Sequence, residues 1–289
     1  THQQLDGDVL SYGSPYNEKV DSTGYFVQHQ YQNNGLNTQL GVRVEDNEKY
    51  GTHTVAQGGI RYQLLPLTSV YANIGTAFKA PTLNDMYGFG GNPNLHPEES
   101  ISYEIGIDQK LNHNISTGLS AYYTKVDNLI ESKCVAVCNG DWITTFPVYQ
   151  NININKASMR GGEFYAKWQQ DDLFLKTGFN YVKAMNEDTD KELDRRPRRS
   201  LTVTTGLQNE VYGISASFSA KSKAQDYKQT TPGYATVDLN GYWNINPNVK
   251  VFANVENVGD VQYKTASYNP GIYYVDGGRL ASAGVTFKY

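Results

Sequence analysis

The sequence predicts an all-β protein that crosses a membrane: a transmembrane antiparallel β-barrel. Three observations carry this. Apolar residues recur at every second position along nearly the whole chain. Aromatic residues gather near the ends of these segments, whose connections are short and long in turn. The final stretch, Ala281, Ala283, Val285, Phe287 and Tyr289, keeps the period up to an aromatic last residue.

Composition sets the class. Of the 289 residues 39% are hydrophobic and 19% charged, with a mean hydropathy of −0.56, yet tyrosine occurs 23 times. A soluble domain would be richer in Leu, Ala and Val, whereas aromatic and β-branched side chains suit a pleated surface. No run approaches eighteen apolar residues, which excludes a membrane-spanning helix. A spanning strand needs only about ten residues and hides its hydrophobicity in alternation. The net charge of −4 and the lack of a basic patch interleaved with aromatics argue against nucleic acid as a partner.

The alternation is explicit. Ile101, Tyr103, Ile105 and Ile107 alternate with Ser102, Glu104, Gly106 and Asp108; Leu201, Val203, Thr205 and Leu207 alternate with Thr202, Thr204, Gly206 and Gln208. The same holds for Ala235 to Trp243 and for Val249 to Val255. Segments of this kind lie near 23–32, 36–46, 52–63, 69–79, 99–110, 115–126, 148–167, 172–183, 197–208, 213–225, 234–244, 249–262 and 278–289. That makes thirteen, or fourteen if residues 1–10 add one.

A soluble sandwich also alternates. The aromatics Tyr25, Phe26, Tyr122, Tyr123, Tyr165, Trp168, Tyr242 and Trp243 read instead as the interfacial girdle of a membrane barrel. Short connections at 32–35, 111–114 and 244–248 take turns with long ones at about 80–98, 131–148, 184–196 and 263–277. Such asymmetry is the habit of outer-membrane barrels. Glu104, Asp108, Asp238, Lys250 and Glu256 fall on the polar face and are expected to meet the wet lumen of the barrel.

The chain starts at Thr1 without Met or an apolar leader, so it reads as a processed protein or a fragment. Cys134 and Cys138 have neither the redox spacing nor nearby His to complete a zinc site. A small loop disulfide is expected, as suits an oxidising compartment.

Specific motifs now appear. Residues 71–81 read Tyr-Ala-Asn-Ile-Gly-Thr-Ala-Phe-Lys-Ala-Pro, and Gly91-Asn92-Pro93-Asn94-Leu95-His96-Pro97-Glu98 follows. Lys125-Val126-Asp127-Asn128-Leu129-Ile130, then Tyr149-Gln150-Asn151 through Asn155-Lys156-Ala157-Ser158-Met159-Arg160-Gly161-Gly162-Glu163, come next in order. Arg195-Arg196-Pro197-Arg198-Arg199 and Val255-Glu256-Asn257-Val258-Gly259-Asp260 complete the series. Together they resemble the TonB-dependent outer-membrane receptors over nearly the whole chain. Within that family, Tyr87 to Leu95 and the short closing loops are most similar to the cobalamin-receptor branch. Haem receptors usually place a His between the same two boxes; here 79–95 has none and His96 falls just after.

The resemblance implies the C-terminal 13–14 strands of a barrel of about twenty-two strands, with residues 1–289 all barrel and the plug and first strands lying outside the chain. It implies a bacterial outer-membrane location and active uptake of a scarce nutrient, cobalamin foremost, with haem or a ferric siderophore as alternatives. TonB, reached through the part not in this chain, the receptor's own plug, outer-membrane lipid, lipopolysaccharide and the nutrient are the implied partners. No cofactor is expected, and calcium, if used, would belong to the part outside this chain. A 14-stranded passive channel is the rival from transport. A barrel phospholipase or protease is the enzymatic rival, but no Ser/His or Asp/His pairing supports one, so no catalytic residue is assigned.

Candidate ligand contacts are the outer-loop aromatics Tyr87, Phe89, Trp142, Tyr227, Tyr268, Tyr273 and Tyr274, a stacking surface for a large planar ligand. Taken singly, each is more often an interfacial or packing residue. Asn186 to Glu192 spaces oxygens as calcium loops do, but Lys191 stands where the EF-hand needs Gly and Pro197 where it needs Glu. A solvated loop is expected there and no metal site is assigned. The basic run Arg195 to Arg199 reads either as a grip for lipopolysaccharide phosphates or as a solvated surface.

Overall fold

The computed structural model describes residues 1–11, 14–139, 144–226, 229–269 and 271–288. The hairpin of β1 (His2–Ser11) and β2 (Ser14–Asn33) is followed by β3 (Leu36–Asn47), β4 (Gly51–Leu65) and β5 (Thr68–Lys79). A short helix, α1 (Leu83–Tyr87), sits in the next loop. Then come β6 (Glu98–Lys110), β7 (Ile115–Ala136), β8 (Val148–Gln170) and β9 (Leu173–Asn186). The two-residue β10 (Lys191–Glu192) folds back on β9 ahead of β11 (Arg199–Gln208) and β12 (Tyr212–Lys221). Next are the hairpin of β13 (Ala224–Asp226) and β14 (Gln229–Thr231), then β15 (Tyr234–Asn246) and β16 (Val249–Glu256). A second hairpin, β17 (Gln262–Asn269) and β18 (Ile272–Gly277), precedes β19 (Leu280–Phe287).

One antiparallel sheet holds the molecule together. Its order is β1-β2-β3-β4-β5-β6-β7-β8-β9-β11-β12-β15-β16-β19, with β10 attached to β9. Strands adjacent in this order are adjacent in the chain apart from the inserted hairpins, so the sheet is an up-and-down meander. Among the described residues no ladder joins β1 to β19. No helix among the described residues is long and apolar enough to cross a membrane either, which says nothing against crossing by strands.

Burial is arranged inside out. Val27, Ile105, Leu119 and Trp243, on the apolar face of four strands, remain 57–70% exposed. The buried hydrophobic residues Met86, Leu95, Val126, Ile154, Ala157, Ala184 and Leu193 lie at the long-loop end. A soluble sandwich would bury its apolar face against a second sheet; here that face is left for hydrocarbon. The polar face carries a connected network. Tyr71 Oη and Asn73 Nδ2 donate to Glu104 at 3.3 and 3.0 Å, Tyr165 Oη donates to Asp108 at 2.7 Å, and Arg61 pairs with Asp108. Asp238 accepts from the Asn257 amide at 2.7 Å, and Lys250 lies 4.4 Å over the Tyr242 ring.

The same face repeats one packing device. The ring of Tyr71 covers Gly106, Tyr165 covers Gly118, Tyr242 covers Gly213 and Phe252 covers Gly284, each across a strand pair. A side chain on any of these glycines would occupy the ring's space, so the sheet needs a residue without Cβ there.

Two expectations are corrected. Residues an odd number of positions apart cannot share a face in a regular strand, so the aromatics read as a girdle split: Tyr122, Tyr165 and Tyr242 turn to the polar face, while Tyr123, Trp168 and Trp243 face outward. Secondly, 131–148 and 263–277 are not plain loops. β7 runs on to Ala136 with β8 opposite, and 262–277 is the β17–β18 hairpin. Conversely, the segments drawn at 213–225 and 249–262 end sooner, at Lys221 and Glu256. Residues 1–10 do supply a strand, which brings the main order to fourteen. The last residue, Tyr289, lies outside the described residues.

Candidate functional site

The short-turn end is simple. Asn34 and Gly35 both take positive φ, 44° and 78°, as a two-residue hairpin turn requires. The long-loop end carries the irregular structure, and it is built on the ends of ladders.

The β7–β8 ladder outlasts its neighbours. β6 leaves it at Glu99 opposite Asp127, and β9 leaves at Asn186 opposite Ala157. β7 and β8 go on pairing through Leu129↔Ile154, Glu131↔Ile152 and Cys134↔Tyr149. A two-stranded ribbon therefore rises above the rim. Cys134 and Cys138 are bonded near its tip, their Cα atoms 5.6 Å apart.

The first loop group, residues 80–97, leans on this ribbon. The Thr82 hydroxyl accepts from the Asp85 amide and the Asp85 carboxylate from the Thr82 amide, a reciprocal cap on α1. Three asparagines then serve backbone that no ladder can satisfy. Asn92 Nδ2 donates to Asn151 O at 3.0 Å, Asn151 Nδ2 to Asp85 O at 3.1 Å, and Asn153 Nδ2 to His96 O at 2.9 Å. Met86 and Leu95 are sealed beneath, at 2% and 3% exposure. Lys49 Nζ donates to Tyr87 Oη at 2.8 Å, and Tyr50 Oη donates to the Met86 sulfur at 2.9 Å. Burial, with Tyr87 and Asp85 nearby, pushes the Tyr50 hydroxyl up to about 12.

The second group joins three loops at one carboxylate. Asp226, 1% exposed, accepts from Arg195 Nε at 3.0 Å and from the Ser267 amide. Arg195 also donates its amide to Gln225 O at 2.7 Å. Gln229 bonds Ser267 and accepts from the Gly271 amide at 2.9 Å. The Tyr234 and Tyr263 rings stack with centroids 3.9 Å apart at the base of this group.

Between the ribbon and the second group opens a cleft of about 920 Å³. Glu131, Lys133, Lys191, Glu192, Asp194, Arg198, Arg199 and Lys223 supply its charges. Burial raises the Glu131 carboxyl, an effect Lys133 opposes. The acidic loop beside the cleft uses its oxygens on the protein itself. Asn186 Oδ1 accepts from the Asp188 and Thr189 amides at 3.0 and 3.1 Å, Asp188 accepts from the Asn155 amide at 3.1 Å, and Glu187 bonds Ser158.

The aromatic candidates fall in two places. Tyr87 and Phe89 belong to the first group: Tyr87 packs with Tyr16 at 6.1 Å, while Phe89 is largely exposed. Tyr273 and Tyr274 sit on β18 in the second group. Tyr273 donates to Thr230 O at 3.3 Å with Lys264 Nζ 3.9 Å from its ring centre, and Tyr274 is exposed. The Tyr268 backbone belongs to β17, and its side chain is not described. Trp142 and Tyr227 lie outside the described residues. Seven strands of the sheet order separate β5 from β16, the strands that feed the two groups. Sequence reading missed Asp226, the Tyr234–Tyr263 stack and the cleft; none had a local pattern, because each joins residues from separate loops.

The model of the TonB-dependent receptor-like β-barrel matches residues 2–258. The chain belongs to that family. As a TonB-dependent receptor barrel it is an outer-membrane protein, and its exposed apolar face is the face that meets lipid. The receptor is 29% identical over 262 residues to the vitamin B12 transporter BtuB of Photobacterium profundum, covering 88% of this chain and 42% of that protein. It is 27% identical over 276 residues to the vitamin B12 transporter BtuB of Vibrio vulnificus, covering 94% and 43%. In structure it resembles a G324V mutant of the ferric enterobactin receptor PfeA of Pseudomonas aeruginosa, with TM-score 0.77 and 20% identity, over 100% of this chain and 50% of that one. The receptor chain thus spans less than half the length of those curated relatives and half of that solved receptor.

Proposed function

We propose that this barrel is part of a receptor for TonB-dependent uptake of cobalamin. The observation that carries the reading is the sequence likeness to vitamin B12 transporters over 88% and 94% of the chain. The braced long loops are consistent with it. They hold exposed Phe89 and Tyr274 on backbone fixed by capping and side-chain hydrogen bonds, and fixed aromatic faces suit a large planar ligand. The polar lumen offers hydrogen-bonding partners to a plug and to water. In this reading further strands and the plug close the barrel beside β1 and β19, since an unpaired edge in lipid leaves backbone groups unsatisfied. Energy comes from TonB through that other part, and no reaction is catalysed.

The test is equilibrium binding to the full-length protein in detergent, with cyanocobalamin, haem and a ferric siderophore as ligands. Saturable cyanocobalamin binding supports the proposal. Binding of haem or the siderophore in its place overturns the choice of ligand. The mass of the protein from native membranes tests the architecture: a species about twice this chain fits the receptor, and a stable barrel of this mass alone fits a passive channel.

A further inference from the structure

The cleft beside the ribbon has a charge pattern that the uptake reading does not use. Its walls bring five cationic side chains against three carboxylates. Two cations are spent within the wall: Lys133 lies 3.6 Å from Glu131, and Arg198 Nε donates to Glu192 at 3.0 Å. Lys191, Arg199 and Lys223 have no carboxylate partner among the described residues. All three are exposed and line the one cleft.

Their backbones are held by ladder ends. Lys191 pairs with Asn186 at the β9–β10 turn. The Arg199 amide donates to Ser222 Oγ at 3.1 Å and its carbonyl accepts from the Ser222 amide at 2.9 Å, which sets Lys223 one residue away from Arg199's partner. Neutral donors and acceptors line the same walls at Thr189, Ser222 and Thr230. Three unpaired cations on fixed backbone with hydroxyls between them match a ligand of concentrated negative charge and several acceptor oxygens.

We propose that this cleft binds clustered phosphate groups, through Lys191, Arg199 and Lys223. A lone carboxylate fits less well: it offers two oxygens and one charge, too few to engage three cations. Two sources carry the required chemistry at this end of an outer-membrane barrel, the phosphorylated sugars of lipopolysaccharide and a soluble phosphate compound.

The experiment uses the full-length protein in detergent and a triple variant, Lys191→Gln, Arg199→Gln, Lys223→Gln. The probes are inorganic pyrophosphate, purified lipopolysaccharide and the same lipopolysaccharide after enzymatic dephosphorylation. The native protein is expected to bind pyrophosphate, phosphorylated lipopolysaccharide or both, and the triple variant about tenfold more weakly or worse, since it loses three sources of charge-assisted hydrogen bonds. The conservative variant Lys191→Arg, Arg199→Lys, Lys223→Arg is expected to retain binding, and both variants to migrate as folded barrels in unheated gels. Binding of lipopolysaccharide alone assigns the site to lipid, and binding of pyrophosphate alone assigns it to a soluble ligand. Binding that survives dephosphorylation, that is equal in the folded triple variant, or that is absent for every probe overturns the proposal. Cyanocobalamin binding is read in the same samples, so failure here is separable from failure of the ligand reading.

Discussion

The Asp226 carboxylate accepts a hydrogen bond from Arg195 Nε at 3.0 Å, and these two residues come from different long loops. Since the same carboxylate accepts from the Ser267 amide of a third loop, one buried side chain ties the 187–198, 222–233 and 257–279 segments together. Replacing it leaves a buried amide and a guanidinium without their acceptor. Asp226→Ala is therefore expected to weaken this group locally by about 1–3 kcal/mol. Hydrogen exchange checks it: amides in β13, β14, β17 and β18 should exchange faster, with those of β5 and β6 unchanged. Uniform exchange across the barrel would contradict the clamp.

The tyrosine-over-glycine packing makes a coupled prediction. Gly106→Ala pushes a methyl group into the Tyr71 ring, and overpacking of this kind costs about 1–3 kcal/mol. Tyr71→Ser removes the ring and should make Gly106→Ala nearly neutral. A double-mutant cycle on folding into lipid vesicles reads the coupling. Additive effects would show that the ring moves aside freely.

Reduction of the Cys134–Cys138 bond should act on the ribbon alone. A cross-link over so short a loop restricts the unfolded ribbon by about 2 kcal/mol in the chain-entropy account. Cys134→Ser with Cys138→Ser is expected to speed proteolysis between residues 129 and 150 and to leave the thermal transition of the barrel where it was. A fall in that transition would mean that the ribbon supports the sheet.

Tyr50 gives a pH dependence with a defined sign. Its folded-state value, about 12, lies above the ordinary 10.0, so the folded loop favours the protonated hydroxyl. That contribution is complete below pH 10 and is lost as pH rises from 10 toward 12. Proteolysis of residues 80–97 should accelerate over that window. In Tyr50→Phe this additional step should be missing; an identical pH profile in both proteins would remove Tyr50 from the account.

The arrangement of the molecule was legible at different depths. Ile101 to Ile107 and Leu201 to Leu207 announced their faces because the side-chain period of a strand is a local property. The same logic, followed residue by residue, separates Tyr122 from Tyr123; treating them as one aromatic band lost that distinction. Pro81, Pro93 and Pro97 all fall between the end of β5 at Lys79 and the start of β6 at Glu98, as suits a residue that lacks the amide a ladder needs. The ribbon was hidden, because residues 129–136 mix polar and apolar positions without a clean period.

By itself the sequence determined that this chain is an outer-membrane sheet of alternating strands with long loops at one end, for alternation and turn chemistry act between near neighbours. Only the tertiary structure decided which loops touch, that Asp226 gathers three of them, and that Lys191, Arg199 and Lys223 share a cleft. Those contacts join residues far apart in the chain, and their geometry exists only once ladder register has set the strand ends side by side.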